Sequence, residues 1–422
     1  MIESIQVLPG VHLTAVQTEK FKTGCFSVNL LRPLCREEAA LNALLPNVLL
    51  RGTKEYPTMQ AISAFLDERY GASVGSLVRK RGEVQTVGFY ADFLSDRLAP
   101  DGSPILQPMI EFVCQTLLKP VRTNWLLEEP YVSSEQLNLI NAIEANLNEK
   151  RSYAARQLVK TMCAGEAYGV SRLGETEEVR AITPQSLTDH WQKVLAGSRA
   201  EIFYLGAQAP ETVAGLFAEQ LQRLPREELS QPRTQVIRHA EAVKERFETL
   251  DVTQGKLCMG LRTGITSRDP EYPALVLLNA VFGAGTTSKL FLNVREAKSL
   301  CYYASSGIDA VKGILTVSSG IEFEKYDEAR AAILEQLDRC RQGEISDKEL
   351  SDAKRHLDSG LRMQADSPGG LDNFYVGQAI TGLNGTLEGL RERIGQVTKE
   401  QVIATAQSLS LDTVYFLKGV EA

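Results

Sequence analysis

The four histidines of this chain lie too far apart in sequence to form a zinc site on one helix. A helical zinc hydrolase needs two imidazoles four residues apart, and a glutamate beside them that acts as general base on the bound water. No two of His12, His190, His239 and His356 lie within one helical turn. A zinc site made of neighbouring histidines is therefore excluded.

Cysteine and glycine patterns do not supply another site. The seven cysteines are an odd number, widely scattered, with no C-x-x-C pair. This pattern is typical of reduced cytosolic thiols and of neither a disulfide framework nor a cysteine zinc site. The glycine-rich run from Gly283 to Lys289 lacks the Gly-Lys-Ser/Thr order of a phosphate loop. We therefore expect no cofactor and no bound metal.

Composition indicates an ordinary globular protein. Of the 422 residues, 43% are hydrophobic and 23% are charged. The excess of 53 acidic over 46 basic residues gives a net charge of −7, which argues against nucleic-acid and anionic-membrane partners. The N-terminal sequence lacks a signal-peptide pattern, and no run of about 20 apolar residues occurs. The expected location is the cytoplasm.

The chain contains two diverged copies of one unit. The helical run from Ala43 to Thr53 matches a run that starts at Ala274, at a separation of 274 − 43 = 231 residues. Each run is expected to end at a glycine, Gly52 or Gly283, as a helix C-cap often does. A charged segment with two prolines separates the copies and has the composition of a linker. The predicted division is an N-terminal lobe 1–223, a linker 224–246 and a C-terminal lobe 247–422.

Each copy mixes strand and helix patterns. Alternating apolar residues from Val84 to Phe89 and from Gly313 to Gly320 predict antiparallel strands. The spacing of apolar residues between Thr58 and Tyr70 predicts an amphipathic helix. The expected fold class is α+β, with two tandem homologous α/β sandwich lobes joined by a linker.

The first apolar helix resembles the zinc-site segment of the M16 (insulinase/pitrilysin) metallopeptidases. In that family an inverted His-x-x-Glu-His motif runs into a hydrophobic turn and Gly-Thr, and here the motif falls on Ala43, Pro46 and Asn47. These residues supply neither metal ligands nor a general base. Pro46 is also expected to kink the helix, because proline removes a backbone hydrogen bond. The family's third ligand, a later glutamate, aligns with Ala142.

The segment from Ser288 to Gly313 resembles the C-terminal-lobe signature of M16B proteins, in which a helix carries Arg and the next strand carries Tyr. Those positions are Arg295 and Tyr302. The resemblance spans nearly the whole chain and is closest to the YfmF-like proteins. That bacterial branch lacks the zinc site and is associated with 5-aminopentanol modification of elongation factor P. It implies a clamshell architecture of two lobes.

The resemblance implies that Arg295 and Tyr302 bind the substrate carbonyl and stabilise the developing oxyanion. Judged on residue type alone, Arg295 would instead pair with Glu296 or Asp309, and Tyr302 would be a core strand aromatic. Glu135 and Glu144, the carboxylates near Ala142, are expected to be solvated helix charges.

The expected function follows from the lost zinc motif and the retained Arg/Tyr pair. The chain is predicted to be a non-catalytic M16B-like subunit, inactive as a peptidase on its own. Its partner would be a zinc-bearing M16B paralogue in a heterodimer, or a second copy in a self-dimer, around a chamber for a peptide substrate. The alternative is a proteolytically inactive scaffold or peptide-binding protein, linked to elongation factor P modification.

Overall fold

Two compact units make up the chain, each assembled from three segments. The computed structural model describes residues 2–225, 227 and 229–420. Unit 1 comprises Met1–Glu144, Val170–Arg233 and Ser367–Asn384, and unit 2 comprises Ala145–Gly169, Thr234–Asp366 and Gly385–Ala422. These units are not the two continuous segments of the predicted division, since each includes a short segment from the other half of the chain.

Unit 1 contains a six-stranded sheet and a two-stranded ribbon. Its strands are β1 (Ile2–Leu8), β2 (Val11–Gln17), β3 (Thr23–Pro33), β4 (Ser73–Arg81), β5 (Val84–Leu94), β6 (Arg122–Thr123), β7 (Leu126–Leu127) and β8 (Arg199–Gly206). The order in the large sheet is β1-β2-β8-β3-β5-β4. Only the β2–β8 pair of this sheet is parallel.

Unit 2 repeats this topology with five strands. They are β9 (Lys244–Leu250), β10 (Gly255–Arg262), β11 (Cys301–Asp309), β12 (Ile314–Ile321) and β13 (Ser410–Gly419). The order β11-β12-β10-β13-β9 matches the order β4-β5-β3-β8-β2, and β9 and β13 are parallel as β2 and β8 are. The predicted duplication is therefore a duplication of fold. The last three residues of the predicted linker, 244–246, belong to β9.

The helices follow the same repeat. In chain order they are α1 (Arg36–Leu49), α2 (Met59–Asp67), α3 (Leu106–Leu118), α4 (Glu129–Asn148), α5 (Lys150–Met162), α6 (Thr176–Arg180), α7 (Pro184–Gly197), α8 (Pro210–Leu221), α9 (Tyr272–Phe282), α10 (Tyr326–Arg341), α11 (Asp347–Ala365), α12 (Pro368–Thr381), α13 (Leu387–Gln396) and α14 (Lys399–Ser408). A π-helical segment, Leu290–Ala297, follows α9. No helix in the described residues is both long and apolar enough to cross a membrane.

Local sequence explains the predicted elements and one difference. Thr58 starts α2 by accepting a hydrogen bond from the backbone amide of Ala61, and α2 buries Ile62 and Phe65. Helix α9 is capped at Gly283 as expected, whereas α1 already ends at Leu49, before Gly52. Helix α1 continues without interruption across Pro46.

Helices α5 and α12, which occupy the same place in the repeat, are the elements exchanged between the halves. Helix α12 packs on β8 and β3 in unit 1, where Tyr375 stacks on Phe203 with ring centroids 6.0 Å apart. Helix α5 packs on β10 and β13 in unit 2, where its Leu158 joins a small apolar cluster with Tyr415. Each sheet is thus covered by a helix from the other half of the sequence.

Both exchanged segments are also fastened by a buried carboxylate. In unit 1, Asp372 of α12 is fully buried, accepts a hydrogen bond from the Ser27 hydroxyl at 2.5 Å and pairs with Arg79 at 2.6 Å. In unit 2, Glu166, just after α5, pairs with Arg262 at 2.6 Å and with the fully buried Lys312 at 2.6 Å. Charges this deep are tolerated because each has an opposite charge in contact.

Candidate functional site

The segment that carries Arg295 and Tyr302 is irregular along its whole length. Arg295 lies on the π-helical segment Leu290–Ala297. Ser299 then has φ +51°, a left-handed conformation that is uncommon outside glycine. At Tyr302 the register between β11 and β12 shifts, because Cys301 pairs with Ile321 and Tyr303 with Gly320. π-helical segments, residues with strained backbone angles and β-bulges are all enriched at functional sites.

Arg295 makes one long ion pair, with the adjacent residue Glu296. Its side chain is 40% exposed, and its Nε lies 3.5 Å from the Glu296 carboxylate. The guanidinium carbon stands 4.7 Å from the ring centroid of Phe291, one turn earlier. Asp309, the other expected partner, instead accepts hydrogen bonds from the Tyr168 hydroxyl at 2.8 Å and from backbone amides of its own turn. Of the two expected carboxylate partners, Glu296 is therefore present at a long distance and Asp309 is not, and Phe291 also contacts the guanidinium.

Tyr302 is a surface residue, 64% exposed, and not a core strand aromatic. It stands on β11, which lies at the edge of its sheet. The next residue, Tyr303, turns inward, and the Arg151 guanidinium lies 4.2 Å from the centroid of its ring. Tyr302 is therefore exposed, whereas Tyr303 is partly buried. The structure places Arg295 and Tyr302 on neighbouring elements of unit 2 that pack against one another.

In unit 1, the residues aligned with the zinc motif are occupied by internal contacts. Ala43 and Pro46 are buried in α1. The Asn47 side-chain amide donates to the Ala43 carbonyl at 3.0 Å, and its carbonyl oxygen accepts from the Ser76 hydroxyl of β4 at 2.7 Å. Asn47 therefore ties helix α1 to the edge strand.

The same bond recurs in unit 2. There the Ser306 hydroxyl of β11 donates to the side-chain oxygen of Asn279 on α9, also at 2.7 Å. Helices α1 and α9 occupy the same place in the repeat, and so do β4 and β11. The Asn47–Ser76 hydrogen bond therefore belongs to the repeated fold. Its equivalent also occurs in unit 2, which does not carry the segment that resembles the zinc motif.

The position aligned with the third ligand offers no carboxylate, and its neighbour Glu135 is already paired. Ala142 and Glu144 are exposed on α4. Glu135 is not the solvated charge expected from the sequence, because its side chain is 13% exposed and lies 2.7 Å from the Nε of Arg51. The Arg51 guanidinium also donates to Ser134 at 2.7 Å and lies 6.0 Å from the centre of the Tyr131 ring. The Arg51–Glu135 pair was missed because its partners are 84 residues apart.

Metal-ligand geometry is lacking in the described part of the chain. No three or more of its His, Cys, Asp and Glu side chains are grouped so that they could hold a metal ion. What this geometry does offer is one exposed cation and one exposed phenol on adjoining elements of unit 2.

Comparison with known proteins identifies the family. The sequence model described as "Peptidase M16 inactive domain" matches residues 181–357. The "Probable inactive metalloprotease YmfF" of Bacillus subtilis is 33% identical over 416 residues, which cover 98% of this chain and 96% of that protein. This chain belongs to the peptidase M16 family. Because both matches are to proteins or domains described as inactive, the chain is an inactive M16 homologue, as the sequence predicted.

Solved structures of M16-like proteins share the fold over the whole chain. A conserved protein from Enterococcus faecalis V583 superimposes with a TM-score of 0.91 at 29% identity, covering 99% of both chains. The peptidase M16 inactive domain from Pseudomonas fluorescens has a TM-score of 0.80 at 17% identity, over 100% of this chain and 99% of that one. The predicted mixed α/β, two-lobed M16 fold is confirmed.

Proposed function

We propose that this M16 homologue is a non-catalytic subunit that pairs with a zinc-bearing M16B protein to form a peptide-processing chamber. In that complex it supplies peptide binding and transition-state assistance, while the partner supplies the metal and the general base. It works in the cytoplasm. The observation that carries the proposal is that Tyr302 and Arg295 are both accessible on adjoining elements of unit 2, with Arg295 held only by a long ion pair to Glu296 and a ring contact.

The chemistry of this pair suits acyl transfer from a peptide. When water attacks a peptide carbonyl, negative charge develops on its oxygen, and fixed donors aimed at that oxygen lower the barrier. A guanidinium is always charged and a phenol is a strong donor at neutral pH. Tyr302 is 64% exposed and the Arg295 side chain 40% exposed, which supports contact of both with a ligand.

The edge position of β11 supports peptide as the substrate class. An extended peptide can add to an exposed sheet edge through backbone hydrogen bonds. Strand β11 is paired on one side by β12 and has no strand on the other among the described residues. A peptide added there would pass beside Tyr302.

Coexpression tests the pairing. A zinc-bearing M16B protein encoded in the same genome is produced with this chain, and the mixture is analysed by size-exclusion chromatography with light scattering. We expect a heterodimer that cleaves peptides faster than either chain alone, with activity lost on zinc chelation. If only monomers or self-dimers elute and neither chain changes the other's activity, the alternative holds. This protein would then be an inactive scaffold or peptide-binding protein, linked to elongation factor P modification.

A further inference from the structure

Unit 2 contains a cavity of about 820 Å³ on the helical side of its sheet. Its walls come from the segment before β9, the loop between β10 and α9, and helices α13 and α14. A volume of several hundred cubic ångströms is the size of a small-molecule or peptide-end site. The cavity does not include Arg295 or Tyr302.

The corresponding place in unit 1 is filled by a polar network. Arg32 of β3 makes a bidentate contact with Glu38 of α1, with distances of 2.6–3.0 Å, and Lys193 of α7 reaches the same carboxylate at 2.6 Å. Beside them, His190 of α7 hydrogen-bonds to Asn42 of α1 at 2.8 Å. With the exception of Lys193, all of these side chains are buried.

The repeat shows how the cavity arose. Positions in β3 and α1 correspond to β10 and α9 at the separation of 231 residues found from the sequence. Helices α7 and α14 both start with a threonine capping box, at Thr183 and Thr398, which gives a separation of 398 − 183 = 215. With these separations Arg32, Asn42, His190 and Lys193 correspond to Thr263, Pro273, Thr405 and Ser408.

All four replacements line the cavity, and all four are smaller than the residues of unit 1. Loss of an arginine, a histidine and a lysine from one packed cluster leaves space that the backbone does not close. The cavity is partly open to solvent, and a recess of this size with a few convergent polar groups is the usual form of a small-molecule site.

One position beside the cavity also carries opposite charges in the two units. Glu178 of unit 1 pairs with Arg36 at 2.7 Å. Its counterpart at 178 + 215 = 393 is Arg393, and the counterpart of Arg36 is Ser267. Arg393 is exposed at the cavity wall and makes no ion pair among the described residues. A second arginine, Arg238, lines the same cavity and is held in place by the Gly264 carbonyl and by Asp269 at 3.3 Å.

We propose that this cavity binds a monoanionic carboxylate with an apolar body. Arg393 and Arg238 supply the positive charge for the carboxylate, which guanidinium groups bind well. Pro273, Ala274 and Val397 supply an apolar wall for the rest of the ligand. Glu271 also lines the cavity, which disfavours a multiply charged anion such as phosphate. A free aliphatic acid and the C-terminus of an apolar peptide share this chemistry.

Direct binding to the full chain tests the site with three probes. They are hexanoate, N-acetyl-Ala-Val-Leu with a free carboxylate, and the same peptide with a C-terminal amide, each titrated by isothermal calorimetry or ligand-observed NMR. We expect the free-acid peptide to bind at least about 10-fold more tightly than the amide, the effect of one charge-assisted contact. Hexanoate binding of similar strength assigns the site to free acids, and much weaker hexanoate binding assigns it to chain ends. Equal binding of acid and amide, or no binding of any probe at millimolar concentration, overturns the proposal.

Three variants locate the binding. Arg393→Glu restores the charge found in unit 1, and Ser408→Met adds bulk close to that of Lys193 without its charge; each is expected to weaken acid binding at least about 10-fold. Lys348→Glu makes the same charge change at a side chain that is 85% exposed on α11, outside the cavity wall, and should leave binding unchanged. Binding that survives both cavity variants in folded protein would place the acid elsewhere and refute the proposal.

Discussion

The two units have one topology but use their polar residues differently. In unit 1, polar side chains on the helical side of the sheet bond to one another: Asn42 bonds to His190, and Arg51 pairs with Glu135. In unit 2, the corresponding face opens into a cavity, and Arg295 and Tyr302 stand exposed on an irregular segment. The same sheet therefore supports a packed polar cluster in one unit and an open cavity in the other at equivalent places, although unit 1 has a cavity of its own beside Trp191 and Lys193.

The largest stability difference is expected at the carboxylates that fasten the exchanged helices. Glu166→Gln leaves Lys312, which is fully buried, without its carboxylate, and breaking such a pair typically costs about 3–5 kcal/mol. Asp372→Asn should cost less, because Arg79 is 24% exposed and can be hydrated, and Asn can still accept from Ser27. Urea unfolding, monitored by hydrogen exchange within each unit, measures the stability loss of both variants. Equal losses for the two variants would mean that the anchors do not differ.

The functional contrast depends on Arg295 and Tyr302. In the complex with a zinc-bearing partner, Arg295→Ala or Tyr302→Phe should lower kcat about 10²- to 10³-fold, as loss of an oxyanion donor does. Either change should lower the melting temperature only slightly, since Tyr302 is 64% exposed and Arg295 makes only a long ion pair and one ring contact. Tyr303→Phe is the matched control, because that tyrosine faces inward on the same strand. Unchanged turnover in both variants, or a loss explained by unfolding, would remove the pair from the site.

Acid should destabilise unit 1 before unit 2. Burial lowers the pKa of His190 to about 4, below its ordinary value of 6.5. Between pH 6.5 and 4, His190 therefore binds a proton in the unfolded chain and stays neutral in the folded protein. The stability linked to His190 is present above pH 6.5 and is lost as the pH falls towards 4, by at most about 3 kcal/mol.

The counterpart in unit 2, Thr405, does not titrate, so hydrogen exchange compared at pH 7.5 and 5 should rise more in unit 1. His190→Gln keeps a donor for Asn42 and should flatten this response. Glu38, in the same cluster, does not contribute in this range: burial alone would raise its pKa, but hydrogen bonds from Lys193 and Arg32 outweigh it and lower the pKa, so the stabilisation by Glu38 is lost only at lower pH. A response that persists in the glutamine variant would assign it to another group.

The smallest effect should be the same in the two units. Asn47→Ala and Asn279→Ala each remove a helix-to-edge-strand hydrogen bond of 2.7 Å, and each should cost about 1 kcal/mol. Double variants with Ser76→Ala or Ser306→Ala should be less destabilised than the sum, since the partners share one bond. A cost at Asn47 larger than loss of its second bond, to the Ala43 carbonyl, can explain would show that the motif position has a role beyond the repeated bond.

Sequence reasoning predicted the local elements well where periodicity and caps are strong. The strands at Val84 and Gly313 and the helix after Thr58 are present, and the separation of 231 residues aligns α1 with α9. It gave the wrong environment for Glu135 and for Tyr302 as a core aromatic, because both depend on contacts. No short window of sequence tells that Arg51 lies near Glu135 or that Tyr302 lies on the exposed face of its strand.

By itself, the sequence determined that Ala43, Pro46 and Asn47 supply no zinc ligand or general base, since side-chain chemistry belongs to the residue type. It also determined the duplication, because two copies of one apolar pattern favour one topology. Only the tertiary structure decided that α5 and α12 cover the sheets of the opposite halves, and that one copy is filled where the other holds a cavity. The physical reason is that burial and pairing join residues far apart in the chain, so a residue's partners are set by packing and not by its neighbours in sequence.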